Sequence, residues 1–205
     1  KEGLDRNVIT MVTQVAVDKD DSAFQNPTKR VGKIYSKEEA DKLKERKDWV
    51  FKESGKRKDG WRRVVPSPQP KKVLNQEVVE KLAREGNIVI ASGGGGIPVY
   101  FDEKGDVRPS EAVIDKDLAS ALLGVEIHAD EFYILTDVPY VYKNFNQENQ
   151  ERIDWLDSKD AQHLLDEGAF GEGSMAPKIR ACLNFVNGGG SKAAVTEATK
   201  LEDTS

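Results

Sequence analysis

The first half of the chain alternates short apolar stretches with longer polar ones. Residues 7–17 are rich in β-branched side chains, which predicts a strand or a helix end running into one. Residues 18–32 are polar and contain an Asn-Pro pair, which predicts a loop. Ser36 followed by Glu39 is typical of a capping box, so we expect a charged helix to begin there and to end near Lys47.

The second half is more regular, with helical and strand patterns following one another. Asn75 is placed to cap a helix that Gly86 ends. The apolar residues predicted to share one face of this helix are Val78, Val79, Leu82 and Ala83. A strand of the buried type is predicted at residues 88–91. Beyond it the pattern predicts helices at 116–123, 158–167 and 176–187 and strands at 132–135 and 192–196.

This alternation is typical of an α/β fold in which helices cover a mostly parallel sheet. Ligands of such sheets bind beyond the carboxyl ends of the strands. Residues 24–66 interrupt the alternation with a basic segment that carries Trp49 and Trp61 and ends in closely spaced prolines. We therefore expect one domain over residues 1–205, with residues 24–66 inserted as a small protruding subdomain.

Composition narrows the class of protein. Of the 205 residues, 38% are hydrophobic and 33% are charged, which fits a globular chain able to bury a substantial core. The net charge of −5 argues against wholesale binding to nucleic acid or to an anionic membrane. No apolar run approaches the roughly 20 residues of a membrane helix. The single cysteine, Cys182, excludes an intrachain disulfide and fits a reducing compartment, so we expect a cytoplasmic protein.

Four consecutive glycines, Gly93, Gly94, Gly95 and Gly96, directly follow the strand predicted at 88–91. Because they lack Cβ atoms, they leave backbone N–H groups uncovered and let a ligand approach closely. A P-loop is excluded, since no Gly-Lys-Ser/Thr follows. A flexible turn is the alternative, but ordering four glycines costs more entropy than a plain turn requires, so we favour a binding loop.

A lysine between two aspartates, Asp115-Lys116-Asp117, stands at a predicted helix start. Phosphoryl transfer needs cations on the transferred group and a carboxylate to hold those cations in place. The helix N-terminus itself also favours anions. A solvated helix cap is the alternative, because aspartate is common at that position, and the residues alone leave both interpretations open.

Two further positions combine polar residues with element ends. Thr136 and Asp137 end the strand at 132–135, where an α/β sheet places ligands, although an ordinary turn explains them equally well. Lys178 follows Pro177 at the start of a predicted helix, where the helix dipole disfavours a cation. A bound anion would offset that cost, and a random surface lysine is the alternative.

The subdomain also contains a basic run. Its members are Lys52, Lys56, Arg57, Lys58, Arg62 and Arg63, with Trp61 among them. Such a run can bind phosphates or nucleic acid with an aromatic ring for stacking, but in an acidic protein we favour a solvated excursion. The two histidines, His128 and His163, are far apart, so no metal-ligand spacing exists and we predict no protein-bound metal.

Together these motifs resemble carbamate kinases, a branch of the amino acid kinase family. Their order and spacing match across nearly the whole chain, whereas acetylglutamate and uridylate kinases share only the looser outline. The matching stretches are NPTK at 26–29, RRVVPSP at 62–68, GGGGIP at 93–98, AVIDKDLASAL at 112–122, LTDV at 135–138 and GSMAPK at 173–178.

The resemblance implies a three-layer αβα sandwich around a mostly parallel sheet, with residues 24–66 as its protruding subdomain. The implied reaction is ATP plus carbamate giving ADP plus carbamoyl phosphate. Lys116 and Lys178 would stabilise the transferred phosphoryl group, and Asp117 would orient those two lysines. Lys29 would reach the phosphate of carbamoyl phosphate when the subdomain closes, and Gly93 to Gly96 would line the carbamate and phosphoryl site. The residues expected to border the nucleotide are Asp115, Asp137, Tyr142, Met175 and Lys178.

The resemblance also implies cofactors and partners. The nucleotide would be ATP or ADP with Mg²⁺, the assembly a homodimer, and the physiological direction ATP formation in arginine catabolism. No covalent enzyme intermediate is expected, and neither nucleic acid nor a membrane is an expected partner. A non-catalytic nucleotide-binding protein of the same fold and another amino acid kinase are the competing hypotheses.

Three features depart from the family's pattern. The family begins with a strand and a glycine–asparagine loop of the type GGNAL, which helps to hold the phosphates and is absent before Lys1. The chain stops at Ser205, short of the family's last strand. Glu172 stands where the family often has proline, a change we expect to be tolerated. The first two departures predict that the chain is a fragment of a longer enzyme or a sequence with its ends missing.

Overall fold

The computed structural model describes residue 3 and residues 5–54, 58–171 and 175–204. Its α-helices are α1 (Lys37–Lys47), α2 (Gln76–Arg84), α3 (Lys116–Glu126), α4 (Ser158–Asp166) and α5 (Met175–Asn187), and short 3₁₀ helices lie at Ser22–Phe24 and Ala198–Thr204. Its strands are β1 (Val8–Thr10), β2 (Gln14–Val17), β3 (Lys29–Tyr35), β4 (Val50–Glu53), β5 (Trp61–Val65), β6 (Pro70–Val73), β7 (Ile88–Ile90), β8 (Ile97–Phe101), β9 (Val107–Pro109), β10 (Glu131–Leu135), β11 (Val141–Lys143), β12 (Glu151–Ile153) and β13 (Lys192–Thr196).

The chain contains strand pairs that run parallel and are connected through helices. β1 pairs with β7, β2 with β8, and β10 with β13, each in parallel register. β2 also lies in a four-stranded sheet of order β6-β2-β8-β9, whose outer strands run antiparallel to their neighbours. Each parallel pair is separated in sequence by helical segments, as crossover connections between parallel strands require, and the predicted α/β fold class is confirmed.

Strands β3, β4 and β5 form a sheet of their own. β3, β5 and β4 pair antiparallel in that order, and α1 packs on them. Phe51 is buried under this helix and meets the ring of Tyr35 edge-on at 5.4 Å. Ser36 caps α1 and Glu39 reciprocates, so the predicted capping box is confirmed. The predicted loop over residues 18–32 is wrong beyond residue 28, because pairing with β5 makes residues 29–32 part of β3.

α3 lies at the centre of the hydrophobic core. Ala119 and Leu123 pack with Val15, Val73 and Val79 from the β2–β6 side. The opposite side of α3 packs on α5 and β10, where Ala121 joins the cluster of Ile134, Ala181 and Phe185. Because both faces of α3 are packed, the position of its first turn is fixed relative to β2, β10 and α5.

Two predictions about α2 are corrected. In α2, Val79 is buried, but Val78 is 49% exposed and Ala83 is exposed, so the inward face is narrower than predicted. Asn75 occupies the N-cap position, yet its side chain donates to the carbonyl of Val12 instead of capping the helix.

The strand predicted at 88–91 is not the buried strand that its apolar run indicated. Ile88 and Ile90 are 41% and 48% exposed. Val89, which points to the opposite face of β7, packs on the core cluster, so one face of β7 is covered and the face that carries Ile88 and Ile90 is not. Residues 7–17, predicted as a strand or as a helix end running into one, form two strands, since the chain leaves β7 after β1 and joins β8 as β2.

No α-helix in the described part of the chain is long and apolar enough to cross a bilayer.

Candidate anion-binding site at the start of α3

The glycine loop packs against the residue that precedes the Asp-Lys-Asp motif. Gly95 and Gly96 have positive φ angles of 120° and 80°. A Cβ atom on Gly95 would lie 2.4 Å from the carbonyl oxygen of Ile114, so only glycine fits this contact. Gly93 and Gly94 are exposed, and nothing lies within 4 Å of a Cβ placed on either. The predicted binding loop therefore lies beside the N-terminus of α3, with its first two glycines facing outward.

Thr13, which the sequence did not single out, holds this loop in place. Its hydroxyl accepts a hydrogen bond of 2.9 Å from the backbone N–H of Ser92, and its carbonyl accepts one of 2.8 Å from Ile97. Thr13 and Ser92 are 4% and 2% exposed. Buried polar groups are nearly always hydrogen-bonded, but the run over residues 7–17 also contains Thr10 and Gln14, so the sequence does not indicate which polar side chain is buried.

The carboxylate of Asp117 joins two lysines. Lys116 Nζ lies 2.5 Å from Oδ1 of Asp117, and Lys178 Nζ lies 2.8 Å from Oδ2. Asp117 and Lys178 are 10% and 14% exposed at their side chains, whereas Lys116 is 54% exposed. α3 and α5 bring this group together because their packing places the first turn of α5 beside the first turn of α3.

Asp115 caps α3 and also pairs with Lys29. Its Oδ1 accepts from the backbone N–H groups of Asp117 and Leu118, at 3.0 and 3.4 Å. Its Oδ2 lies 2.6 Å from Nζ of Lys29, the first residue of β3. Burial alone would raise the pKa of Asp115, but the hydrogen bond and the charge of Lys29 outweigh it and lower that pKa.

The residues predicted to border the nucleotide do not all join this group. Asp137 is exposed and accepts a hydrogen bond from Thr136, and Tyr142 is half-buried on β11 with its ring 5.8 Å from that of Phe145. Met175 opens α5 and packs on the cluster around Phe170. In the described part of the chain, no hydrogen bond, ion pair or ring contact links Asp137 or Tyr142 to the lysines, so their predicted role stays a prediction.

Two arginines of the basic run make contacts within the subdomain. Arg63 stacks on Trp49 at 4.1 Å, and Arg62 donates to the carbonyl of Gly32 at 2.9 Å. The ring of Trp61 is covered by Lys44 at 5.0 Å. Two members of the run, Lys56 and Arg57, lie outside the described residues, as do Glu172 and residues 173–174 of the GSMAPK stretch. Arg63 and Lys44 each cover one face of a tryptophan ring on which a nucleic acid base would otherwise stack.

Cys182 lies one turn after Lys178 on α5. Burial and the negative charge of Asp117 raise the pKa of its thiol to about 12, although Lys178 acts against them. At pH 8 its thiolate is then about a thousandfold rarer than that of a thiol with the ordinary pKa of 9.0. We expect a disulfide reagent such as dithionitrobenzoate to label Cys182 at least about 100-fold more slowly in the folded protein than in denaturant. Equal labelling rates would contradict this burial.

No group of three or more histidine, cysteine, aspartate or glutamate side chains arranged to hold a metal ion is found over the described ranges.

The arrangement has one evident chemical use. Two ammonium groups share one carboxylate at a helix N-terminus, beside glycines whose backbone is open to solvent. The two positive charges exceed the single negative charge between them, so the group attracts a further anion. A phosphoryl group in transfer is such an anion, since its charge is spread over three oxygens.

The fold and this group of residues define the class of protein. The chain belongs to the amino acid kinase family, whose sequence profile matches residues 10–197. The resemblance to carbamate kinases is also confirmed. The carbamate kinase of Thermoplasma volcanium is 46% identical over 196 residues, which make up 96% of this chain and 63% of that protein.

Solved structures agree with this assignment. A crystal structure from Aeropyrum pernix K1 gives a TM-score of 0.87 at 41% identity and covers 98% of this chain and 64% of its own. Carbamate kinase from Giardia lamblia bound to AMP-PNP gives a TM-score of 0.84 at 36% identity, with coverages of 97% and 62%. The chain thus spans a little under two thirds of the length of these relatives.

Proposed function

We propose that the protein containing this chain is a carbamate kinase, which transfers a phosphoryl group reversibly between ATP and carbamate. The observation that carries the proposal is the group formed by Lys116, Asp117 and Lys178, placed beside the glycine loop. In this role the two lysines neutralise the charge that builds up on the transferred phosphoryl group. Asp117 holds both ammonium groups in place, so they need not reorganise during the reaction.

The charge distribution supports anionic substrates. Residues 29–65 hold 14 of the chain's 31 lysines and arginines but only 7 of its 36 aspartates and glutamates, so this segment carries +7 and the remainder −12. Its first residue, Lys29, contacts Asp115 at the candidate site. A positive segment beside the site raises the local concentration of anions such as ADP and carbamoyl phosphate.

The remaining parts of the proposal rest on similarity to carbamate kinases. The nucleotide is ATP or ADP, bordered by Asp115, Asp137, Tyr142, Met175 and Lys178, and the Giardia lamblia relative is described as bound to AMP-PNP. Mg²⁺ would arrive with the nucleotide, since Mg²⁺ usually binds substrate phosphates and keeps several waters. We further propose a cytoplasmic homodimer that forms ATP in arginine catabolism.

The direct test is an assay of ATP formation from ADP and carbamoyl phosphate with Mg²⁺, on the full-length protein. We expect turnover in the range of 1–100 s⁻¹ that is usual for kinases. Carboxylate acceptors, such as N-acetylglutamate, and uridylate serve as controls in the ATP-consuming direction. Faster phosphoryl transfer to one of these acceptors would show that the protein is another amino acid kinase and not a carbamate kinase. Nucleotide binding without turnover on any acceptor would favour a non-catalytic nucleotide-binding protein.

A further inference from the structure

The Lys29–Asp115 ion pair connects the subdomain sheet, β3-β5-β4, to the first turn of α3. Its 2.6 Å contact joins residues 86 positions apart, with Asp115 17% and Lys29 35% exposed. Because the pair is only partly exposed, solvent and salt screen it less than an ordinary surface pair. It is a structural link between the subdomain and the rest of the described chain, which we call the body.

The two carboxylate oxygens of Asp115 have different partners. Oδ1 is held by the backbone N–H groups at the start of α3, which fixes the orientation of the carboxylate. Oδ2 is thereby directed at Lys29. Lys29 remains one third exposed, and an ammonium group has three donors, so it can keep Asp115 and still donate to a substrate oxygen.

Part of the boundary between the subdomain sheet and the body is an open cleft. A cleft of about 810 Å³ separates them, with Val31 and Trp49 on the subdomain side and Tyr100 and Ser110 on the body side. At the base of this cleft, the N–H of Val113 donates to the carbonyl of Pro66 at 3.0 Å. Surfaces that are separated by a cleft do not fix each other by packing, so the contacts at the base gain importance.

We propose that Asp115 is a positioning residue, which acts through Lys29 to hold the base of the subdomain beside Lys116, Asp117 and Lys178. This inference rests on the proposed function only for its consequence in catalysis. If carbamoyl phosphate is the substrate, Asp115 keeps the ammonium group of Lys29 near the phosphate before closure. Asp115 then contributes to catalysis through Lys29, in addition to bordering the nucleotide as proposed above.

A double-mutant cycle tests the kinetic part. Asp115→Asn keeps the N-cap, because asparagine caps as well as aspartate, but removes the charge that holds Lys29. We expect it to lower kcat/KM for carbamoyl phosphate about 10-fold, and we expect any change in KM for ADP, which reports the proposed border with the nucleotide, to be the same with and without Lys29. In a Lys29→Met background the same change should cost less than about 2-fold, while Lys29→Arg should retain part of the coupling. Equal losses of kcat/KM for carbamoyl phosphate in both backgrounds would overturn the proposal, because Asp115 would then act without Lys29.

Hydrogen exchange of the Val113 amide tests the structural part without any enzymatic activity. Asp115→Asn and Lys29→Met should each speed this exchange about 10-fold, and the double variant no further. The matched control is Asp157→Asn at the N-cap of α4, where Asp157 also accepts two backbone N–H bonds. An Asp115→Asn protein with the exchange rate of the control would overturn the proposal. If the wild-type protein has no kinase activity, the proposed function fails, and the exchange result still decides this inference.

Discussion

Replacing Lys178 with methionine is expected to lower kcat for ATP formation by about 10²–10³-fold in a protein that still folds. The Lys178 side chain is 14% exposed and its ammonium group lies 2.8 Å from Asp117, so this charge acts in a partly dehydrated setting where it interacts strongly. Methionine keeps most of the side-chain length and packing. Folding survives because Asp117 retains its second partner, Lys116, at 2.5 Å. Steady-state kinetics and thermal unfolding of the same preparation measure both effects.

Lys116→Met should act in the same direction, although Lys116 is 54% exposed and its removal disturbs packing less. The matched control is Lys159→Met, because Lys159 lies in the first turn of α4, as Lys178 does in α5, but is exposed to solvent. The control should change kcat by less than about 2-fold. Near-normal turnover in both Lys116→Met and Lys178→Met would exclude the assigned roles. Unfolding of the Lys178→Met protein would instead show that the ion pair between Lys178 and Asp117 is needed for stability.

The sequence predicted the members of this group but not all of its contacts. Asp115, Lys116 and Asp117 are neighbours at a helix start, so their proximity follows from local structure. Lys178 and Lys29 reach these aspartates across 61 and 86 residues. No spacing rule predicts such contacts, because they depend on how α3 packs on α5 and on where β3 leaves the body. Similarity to a known family supplied what local patterns could not.

Burial was harder to predict than element type. Local signals located α1 and α3 well, since the capping residues Ser36 and Asp115 form hydrogen bonds within their own first turns. Whether an apolar strand is covered depends on elements distant in sequence. The apolar run of β7 does not show this, and the prediction that β7 is buried is therefore wrong for Ile88 and Ile90. Thr13 was missed for the same reason, because its partner Ser92 lies 79 residues away.

Gly95→Ala is expected to lower the free energy of unfolding by about 2–4 kcal/mol. Two costs combine at this position. The φ angle of 120° is unfavourable for any residue with a Cβ atom, and that atom would lie 2.4 Å from the backbone oxygen of Ile114. A backbone oxygen cannot rotate aside as a flexible side chain can, so either the loop or the start of α3 must move. Thermal or denaturant unfolding measures the loss.

The neighbouring Gly94→Ala variant separates this contact from a general effect of losing a glycine. Gly94 has no positive φ, and no atom lies within 4 Å of a Cβ placed on it, so we expect its stability to change by less than about 1 kcal/mol. Ile114 directly precedes Asp115, so relief of the Gly95→Ala clash should also displace Asp115 and Asp117. A displacement of about 1 Å at such groups can cost about 100-fold in rate, so kcat should fall with stability in this variant. If both alanine variants unfold at the same temperature, the glycine loop does not pack on α3 as described. If Gly95→Ala is destabilised but fully active, the loop and the lysine group are not coupled.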